Sequence, residues 1–291
     1  MKKSTLSIAL AVIVSSTSVW AEAPQIAGGK EGGQYARYAA NIAAALKDYK
    51  EFRGENAPVV LPPTGGSGEN LDLLNEGKAS VAPVQADAFM YYVKKHPEAA
   101  ANLEILGELP KEECLFLVGR NDSKLTDLEK KSTRVAIGNP DSGQNISWNY
   151  ISQLHKEFAN ATTYEKDGLR TLNKVVSGGD FGLDHYFFTF SKDINNDIIQ
   201  TVNIEDKGLK FLDLNNGDLN EKLPNGKQVY EFKDALVKYE GWNRTVEVPC
   251  TKTLLLINTD IDDKMADRLA GLVAKGMNRI VGESDDSNKI K

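Results

Sequence analysis

The stretch Leu61–Phe89, LPPTGGSGENLDLLNEGKASVAPVQADAF, decides how the chain is read. It opens on a strand end (Val59, Val60, Leu61) and two prolines, then turns through Thr64-Gly65-Gly66-Ser67-Gly68. Leu71, Leu73 and Leu74 give the next segment an amphipathic helical spacing, and Gly77 breaks it. A short apolar run, Val81–Val84, then ends on the polar Gln85 and Asp87. The pattern is strand, glycine corner, helix, strand, polar tip. A glycine corner at a helix start leaves backbone N–H groups free, and the helix dipole makes that spot attractive to anions. The stretch is therefore expected to form one wall of a small-molecule cleft.

The same unit recurs on either side. Gln25-Ile26-Ala27 leads into Gly28-Gly29-Lys30-Glu31-Gly32-Gly33 and a helix over Gln34–Leu46, with Tyr35, Tyr38, Ala39, Ile42 and Leu46 at helical spacing. Arg134–Ile137 leads into a corner over residues 138–145 and a helix through about Glu157. The spacing also predicts helices over Ala88–Lys95, Asp122–Lys131, Leu169–Val176 and Asp193–Val202. Strands are expected at Leu103–Leu106, from Cys114, at Gly182–Phe188, Leu209–Leu212 and Val246–Asn258. Asn215–Lys227 reads as loop, and Asp260–Val281 as one final amphipathic helix. Alternating strands and helices imply an α/β chain with largely parallel sheets, whose ligands sit beyond the carboxyl ends of the strands. All three glycine corners fall at such ends.

Lys2 and Lys3, an apolar core over Leu6–Val14 and Val19-Trp20-Ala21 read as a signal peptide cleaved after Ala21, which implies export to the periplasm. The apolar core is shorter than the roughly 20 residues a membrane span needs. Residue 22 is Glu, so no lipidated cysteine follows the cleavage point. The formal net charge of −6 argues against nucleic acid as a partner. Two cysteines in an exported chain favour one disulfide, with two separate buried thiols as the alternative. Cys114 and Cys250 each begin an apolar strand-like run, and antiparallel neighbours would allow the bridge.

Catalytic and metal patterns are lacking. His96, His155 and His185 show no metal-ligand spacing, and neither His-Glu-x-x-His nor Cys-x-x-Cys occurs. No Gly-x-Ser-x-Gly elbow frames Ser67 or Ser142, and neither a dinucleotide fingerprint nor a phosphate loop is present. No enzyme, cofactor or metal is expected. The corners are instead rich in donors suited to a carboxylate: Ser67, Ser142, the backbone N–H groups of Gly68 and Gly143, and the amides of Gln85, Gln144 and Asn145.

At Thr64-Gly65-Gly66-Ser67-x-Glu69-Asn70-Leu71-x-Leu73-Leu74-Asn75-Glu76-Gly77-x-Ala79, followed by Val84-Gln85-Ala86-Asp87, the chain resembles the substrate-binding subunits of TRAP transporters, of the TAXI type. Gly28-Gly29-x-x-Gly32-Gly33-x-Tyr35, Leu106–Leu109, Val135–Gly138 with Ser142-Gly143, and Leu254–Asp262 extend the likeness in order. The resemblance implies a two-lobed, type II-like periplasmic binding protein with two mixed sheets joined by crossing hinge strands. Residues 22–113 would form one lobe and 114–250 the second, entered and left through the hinge strands. Residues 251–291 would be a return strand and a C-terminal helix on the first lobe or hinge. It further implies a monomer that carries a small carboxylate, such as a glutamate-like amino acid or a 2-oxo-dicarboxylate, to a TRAP membrane permease. Ligand contacts are expected from Tyr35, Ser67, Gly68, Asn70, Gln85 and Asp87 on one side. Ser142, Gly143, Gln144, Asn145, His185 and Tyr186 are expected to close from the other.

The chain departs from the family pattern at Ala36-Arg37-Tyr38, Ala79-Ser80 and Asp141–Gln144. Arg37 is a candidate carboxylate clamp and Asp141 a candidate partner for an amino group, which together favour an amino acid. A phosphate or phosphonate binder, a receptor for an ABC permease and an exported enzyme on the same scaffold are the alternatives.

Overall fold

The structure is a computed structural model that describes residues 23–140, 142–179, 182–190, 202, 208–239 and 242–282. The expected signal segment, Asp141, nearly all of the expected Asp193–Val202 helix and the tail from Glu283 lie outside the described residues. Among the described residues no helix is long and apolar enough to cross a membrane.

Ten strands form one hydrogen-bonded network: β1 Gln25–Ile26, β2 Val59–Val60, β3 Val81–Gln85, β4 Leu103–Arg120, β5 Arg134–Ala136, β6 Thr162–Tyr164, β7 His185–Phe190, β8 Leu209–Leu212, β9 Tyr230–Tyr239 and β10 Trp242–Asn258. Their order is β2-β1-β3-β10-β4-β7-β5-β6, with β8 added on β4 and β9 on β10. The helices are α1 Gln34–Leu46, α2 Ser67–Asn75, α3 Ala86–Lys95, α4 Gly143–Leu154, α5 Leu169–Ser177, α6 Asp263–Lys275 and α7 Met277–Val281. The architecture is the expected α/β two-lobed binding-protein fold.

Two long strands organise it. β4 and β10 pair antiparallel from Cys114↔Cys250 to Leu103↔Asn258 and continue past that pairing into the far half of the network. The sequence suggests two strands where β4 is one. The reason is the polar run Lys111-Glu112-Glu113, which interrupts the apolar pattern where β4 crosses between halves and is only half-buried. Parallel pairing is confined to β1–β2, β1–β3, β5–β6 and β5–β7. The sheet is thus mixed and not largely parallel, because a chain that crosses to a second lobe and returns must run against itself. Cys114 and Cys250 face each other in that pairing and are joined by a disulfide.

Other expectations are corrected in detail. Asp122–Lys131 holds a 3-10 turn, Leu125–Glu129, and no α-helix. The final helix breaks at Gly276, whose φ of −120° is not helical, into α6 and α7. β6, with the exposed Thr162, Thr163 and Tyr164, and the charge-rich β9 give no strand signal in the sequence. α1 runs over the expected residues, since its apolar face carries the buried Tyr38, Ile42 and Leu46.

Three apolar clusters hold the structure. One joins α1 to α6 and α7 through Ile42, Leu46, Leu269 and Ile280. A second stacks Phe116 of β4 on Phe188 of β7, ring centroids 5.2 Å apart, above Leu172 and Val248. The third runs from Leu74 and Phe89 to Trp148, Phe187 and Tyr230, so α3 and α4 share one core. Each such side chain stabilises the fold by about 1.5–3 kcal/mol relative to exposure.

Candidate ligand-binding site

The three glycine corners meet at one cleft of about 290 Å3. Gly29, Lys30 and Gly33 come from the corner before α1, Gly65, Gly66 and Ser67 from the corner before α2, and Ser142, Gly143 and Gln144 from the start of α4. Each corner follows the carboxyl end of a short parallel strand, β1, β2 or β5, as the alternation of strands and helices requires. Gly66 has a φ of +126°, a conformation that favours glycine, and this lets the chain enter α2 with its first N–H groups toward the cleft. Ser142 caps α4: its hydroxyl accepts from the Asn145 N–H at 3.2 Å and donates to the Asn139 carbonyl at 2.7 Å.

The two sides of the cleft touch at one point. A Cβ on Gly143 would lie 1.9 Å from Oε1 of Gln85, so the first turn of α4 rests directly on the side chain at the tip of β3. Only a residue without a side chain allows this approach.

Under the closed contact lie unsatisfied polar groups. Tyr35 Oη, Gln85 Nε2 and Thr253 Oγ1 are each buried with no well-formed hydrogen bond among the described residues, although the Ser67 and Thr253 hydroxyls lie near enough to Tyr35 Oη to work against the rise in its pKa. They are close together, since Thr253 of β10 is the cross-strand partner of Gln85, and the Ser67 hydroxyl accepts from the Gln85 N–H at 3.1 Å. Burial, reinforced by Glu113, holds the Tyr35 hydroxyl well above its ordinary pKa, which keeps it a neutral donor at all physiological pH values. Buried polar groups are almost always paired, so Tyr35 and Gln85 in the lining of the cleft, with Thr253 beside them, point to an external partner.

The rim carries both signs of charge. Lys111 Nζ donates to Glu113 Oε1 at 2.7 Å and sits 5.4 Å from the ring centre of Tyr35. Lys30 and Asp167, both exposed, complete it. Asp167 accepts from the Tyr186 hydroxyl and, at 2.7 Å, from the Gly168 N–H. Burial and this carboxylate push the Tyr186 pKa upward.

Of the expected residues, Tyr35, Ser67, Gln85, Ser142, Gly143 and Gln144 line the cleft. The Gln144 amide is already committed to the Phe187 carbonyl at 2.5 Å. Tyr186 does not line the cleft and reaches it through Asp167 and Gln144, which do. Arg37 is placed elsewhere: it follows Tyr35 by two helical positions, about 200° around the axis, and donates to Gln34 Oε1 on the exposed face. Asn70 is a structural tie, donating to the carbonyls of Gly28 at 2.7 Å and Pro83 at 2.9 Å. Gly68 borders a separate surface depression beside Leu71 and Tyr92. Asn145 accepts from Asn149 at 2.8 Å within α4. Asp87 is fully buried between α3, α4 and β9. His185 alternates with Tyr186 along β7 and so points into a different pocket. Asp141 lies outside the described residues.

Sequence reading missed Lys30, Lys111, Glu113, Asp167, Thr189 and Thr253. A charged triplet inside a strand, Lys111-Glu112-Glu113, is the one signal that would have flagged the hinge contribution. Thr253 carries no signal, because it lies inside the long strand β10 beside a shift of register.

The fold and cleft define a periplasmic-binding-protein architecture. The chain belongs to the NMT1-like family, which it matches over residues 26–175. Among solved structures it is similar to YhfZ from Shigella flexneri, at 16% identity over 91% of this chain and 92% of that one, with a TM-score of 0.51. It is similar also to XAC2383 from Xanthomonas citri, solved bound to ATP, at 10% identity over 89% and 88%, with a TM-score of 0.52. These two likenesses show the shared fold. The periplasmic aliphatic sulphonate binding protein SsuA from Escherichia coli aligns at 16% identity over 92% and 74%, with a TM-score of 0.48. No curated protein matches the chain.

Proposed function

We propose that the chain is a periplasmic solute receptor that captures a small carboxylate in the cleft and delivers it to a TRAP-type membrane permease. The observation that carries this reading is the set of buried, unpartnered donors and acceptors, Tyr35 Oη, Gln85 Nε2 and Thr253 Oγ1, beneath three converging helix N-termini. Leaving such groups unpaired costs about 1–3 kcal/mol each, and a ligand that satisfies them recovers that energy. Helix N-termini favour an anionic end. The paired charges on the rim favour an amino acid over a plain dicarboxylate: Lys30 and Lys111 suit a carboxylate, Glu113 an ammonium. The TRAP assignment rests on the residue pattern from Thr64 to Asp87.

A thermal-shift screen of amino acids, 2-oxo-dicarboxylates and phosphonates tests the ligand class. A rise in melting temperature of several degrees with a glutamate-like amino acid is expected. A rise with phosphonates alone sinks the carboxylate reading, and turnover of any bound carboxylate supports an enzyme in its place.

Gly143→Ala tests the closed geometry. Its methyl group would displace the Gln85 amide, so ligand affinity by calorimetry is expected to fall about 10–100-fold, which is 1.4–2.7 kcal/mol. The melting temperature of the free protein is expected to fall by a few degrees as well, because the added methyl must displace the buried Gln85 side chain there too. Unchanged affinity would mean that the ligand does not use this contact.

A further inference from the structure

His185 lines a second pocket of about 220 Å3, which shares no described lining residue with the cleft. We propose that this pocket is a binding site for a compact oxyanion of phosphate or sulfate size, held by Arg120 and His185. The imidazole is 1% exposed, and neither of its ring nitrogens has a hydrogen-bond partner among the described residues. Arg120 Nη1, at the end of β4, is likewise buried and unpartnered. Gly119 makes room for this, since a Cβ there would meet Ser123 Oγ at 2.7 Å and His185 Cδ2 at 2.9 Å.

The pocket contains carboxylates as well as cations, so the sign of its ligand turns on which groups are already used. Asp184 accepts from the backbone N–H of Arg134 at 2.8 Å and from its Nε at 3.3 Å, and pairs with Arg120 Nη2 at 3.6 Å. Asp127 accepts from the Lys124 N–H at 2.7 Å and from Lys130 Nζ at 2.6 Å. Asp122 lies exposed at the edge. The two inner acids are therefore satisfied, and what remains without a partner is a guanidinium N–H and the imidazole. An acceptor-rich anion supplies what both lack. Among the described residues no three His, Cys, Asp or Glu side chains come together to hold a metal ion.

Burial pushes the His185 pKa down to about 4 and Arg120 lowers it further, while Asp127 and Asp184 oppose both. The free pocket thus holds a neutral ring near pH 7. An oxyanion accepting from that ring favours its protonated form, so binding raises the pKa and takes up a proton at pH values between the free and bound midpoints.

The test is a titration of the full exported chain with sodium phosphate, and separately sodium sulfate, followed by the imidazole signals in NMR at constant ionic strength. His96→Gln and His155→Gln variants assign the three histidines. Saturable shifts of the His185 signals are expected, with a titration midpoint raised by about one unit or more. Arg120→Gln should weaken that binding about tenfold or more and leave cleft-ligand affinity unchanged. A linear, unsaturable response, or the same response to chloride, overturns the proposal. So does an unmoved His185 midpoint, whatever the variants do.

Discussion

Replacing Asp87 with alanine is expected to lower stability by about 3–5 kcal/mol, a fall in Tm of roughly 10 °C. The carboxylate is fully buried. Its Oδ2 accepts from Ser147 of α4 at 2.5 Å and from the Tyr230 hydroxyl of β9 at 3.0 Å, while Oδ1 accepts from the Ala88 N–H at 2.8 Å. Alanine would strand both hydroxyls inside the core that α3 and α4 share. An asparagine side chain at this position keeps an oxygen for both hydroxyls and gives up only the Ala88 bond, so Asp87→Asn should cost about 1 kcal/mol. The pH dependence separates the two kinds of loss. Burial pushes the Asp87 pKa up to about 6, against hydrogen bonds from Ser147 and Tyr230 and with a contribution from Glu113 in the same direction as burial. A carboxyl raised in the folded state binds its proton more tightly there than in the unfolded chain. Its contribution is therefore fully present below about pH 4 and is lost as pH rises through about 6, by about 3 kcal/mol at most. Wild-type protein should gain stability from this group on acidification from pH 7 to 5, and Asp87→Asn should lack that gain. A wild-type pH slope identical to that of Asp87→Asn, together with equal Tm losses for the two variants, would remove Asp87 as the anchor between α3 and α4.

The second large effect is expected on reducing the Cys114–Cys250 disulfide. The bridge links residues 136 apart in sequence and joins the two long strands near the middle of each. On the chain-entropy account, closing a loop of that length in the unfolded state is worth about 5 kcal/mol. Reduction, or paired Cys114→Ser and Cys250→Ser substitution, should lower the midpoint of urea unfolding accordingly. Because the strand pairing around the bridge persists without it, the folded protein should keep its secondary structure and its ligand affinity. Loss of binding with an unaltered midpoint would show the reverse: that the bridge positions the hinge and does little for stability.

Much of the fold was legible because its signals are local. Tyr38, Ile42 and Leu46 mark a helix face, and glycine corners after short apolar runs mark the carboxyl ends of strands. The cleft was legible to the same extent, since Ser67, Ser142 and Gly143 lie in those corners and Gln85 at the polar tip of β3. Two kinds of error remained. Arg37 was offered as a departure from the family pattern and His185 as part of an aromatic strand end, yet a helix turns Arg37 away from Tyr35 and a strand turns His185 away from Tyr186. Lys111 and Glu113 were missed because they reach the cleft from a long hinge strand, far in sequence from every corner.

By itself, then, the sequence determined the α/β class and the three glycine corners, because each depends on short-range pattern, while it left the two cysteines open between a bridge and two separate thiols. Only the tertiary structure decided which polar groups are left without partners. That quantity depends on every neighbour a side chain meets after folding. It singles out Tyr35, Gln85 and Thr253 at the cleft and His185 and Arg120 outside it, while it seals Asp87 and Asn70 into the frame.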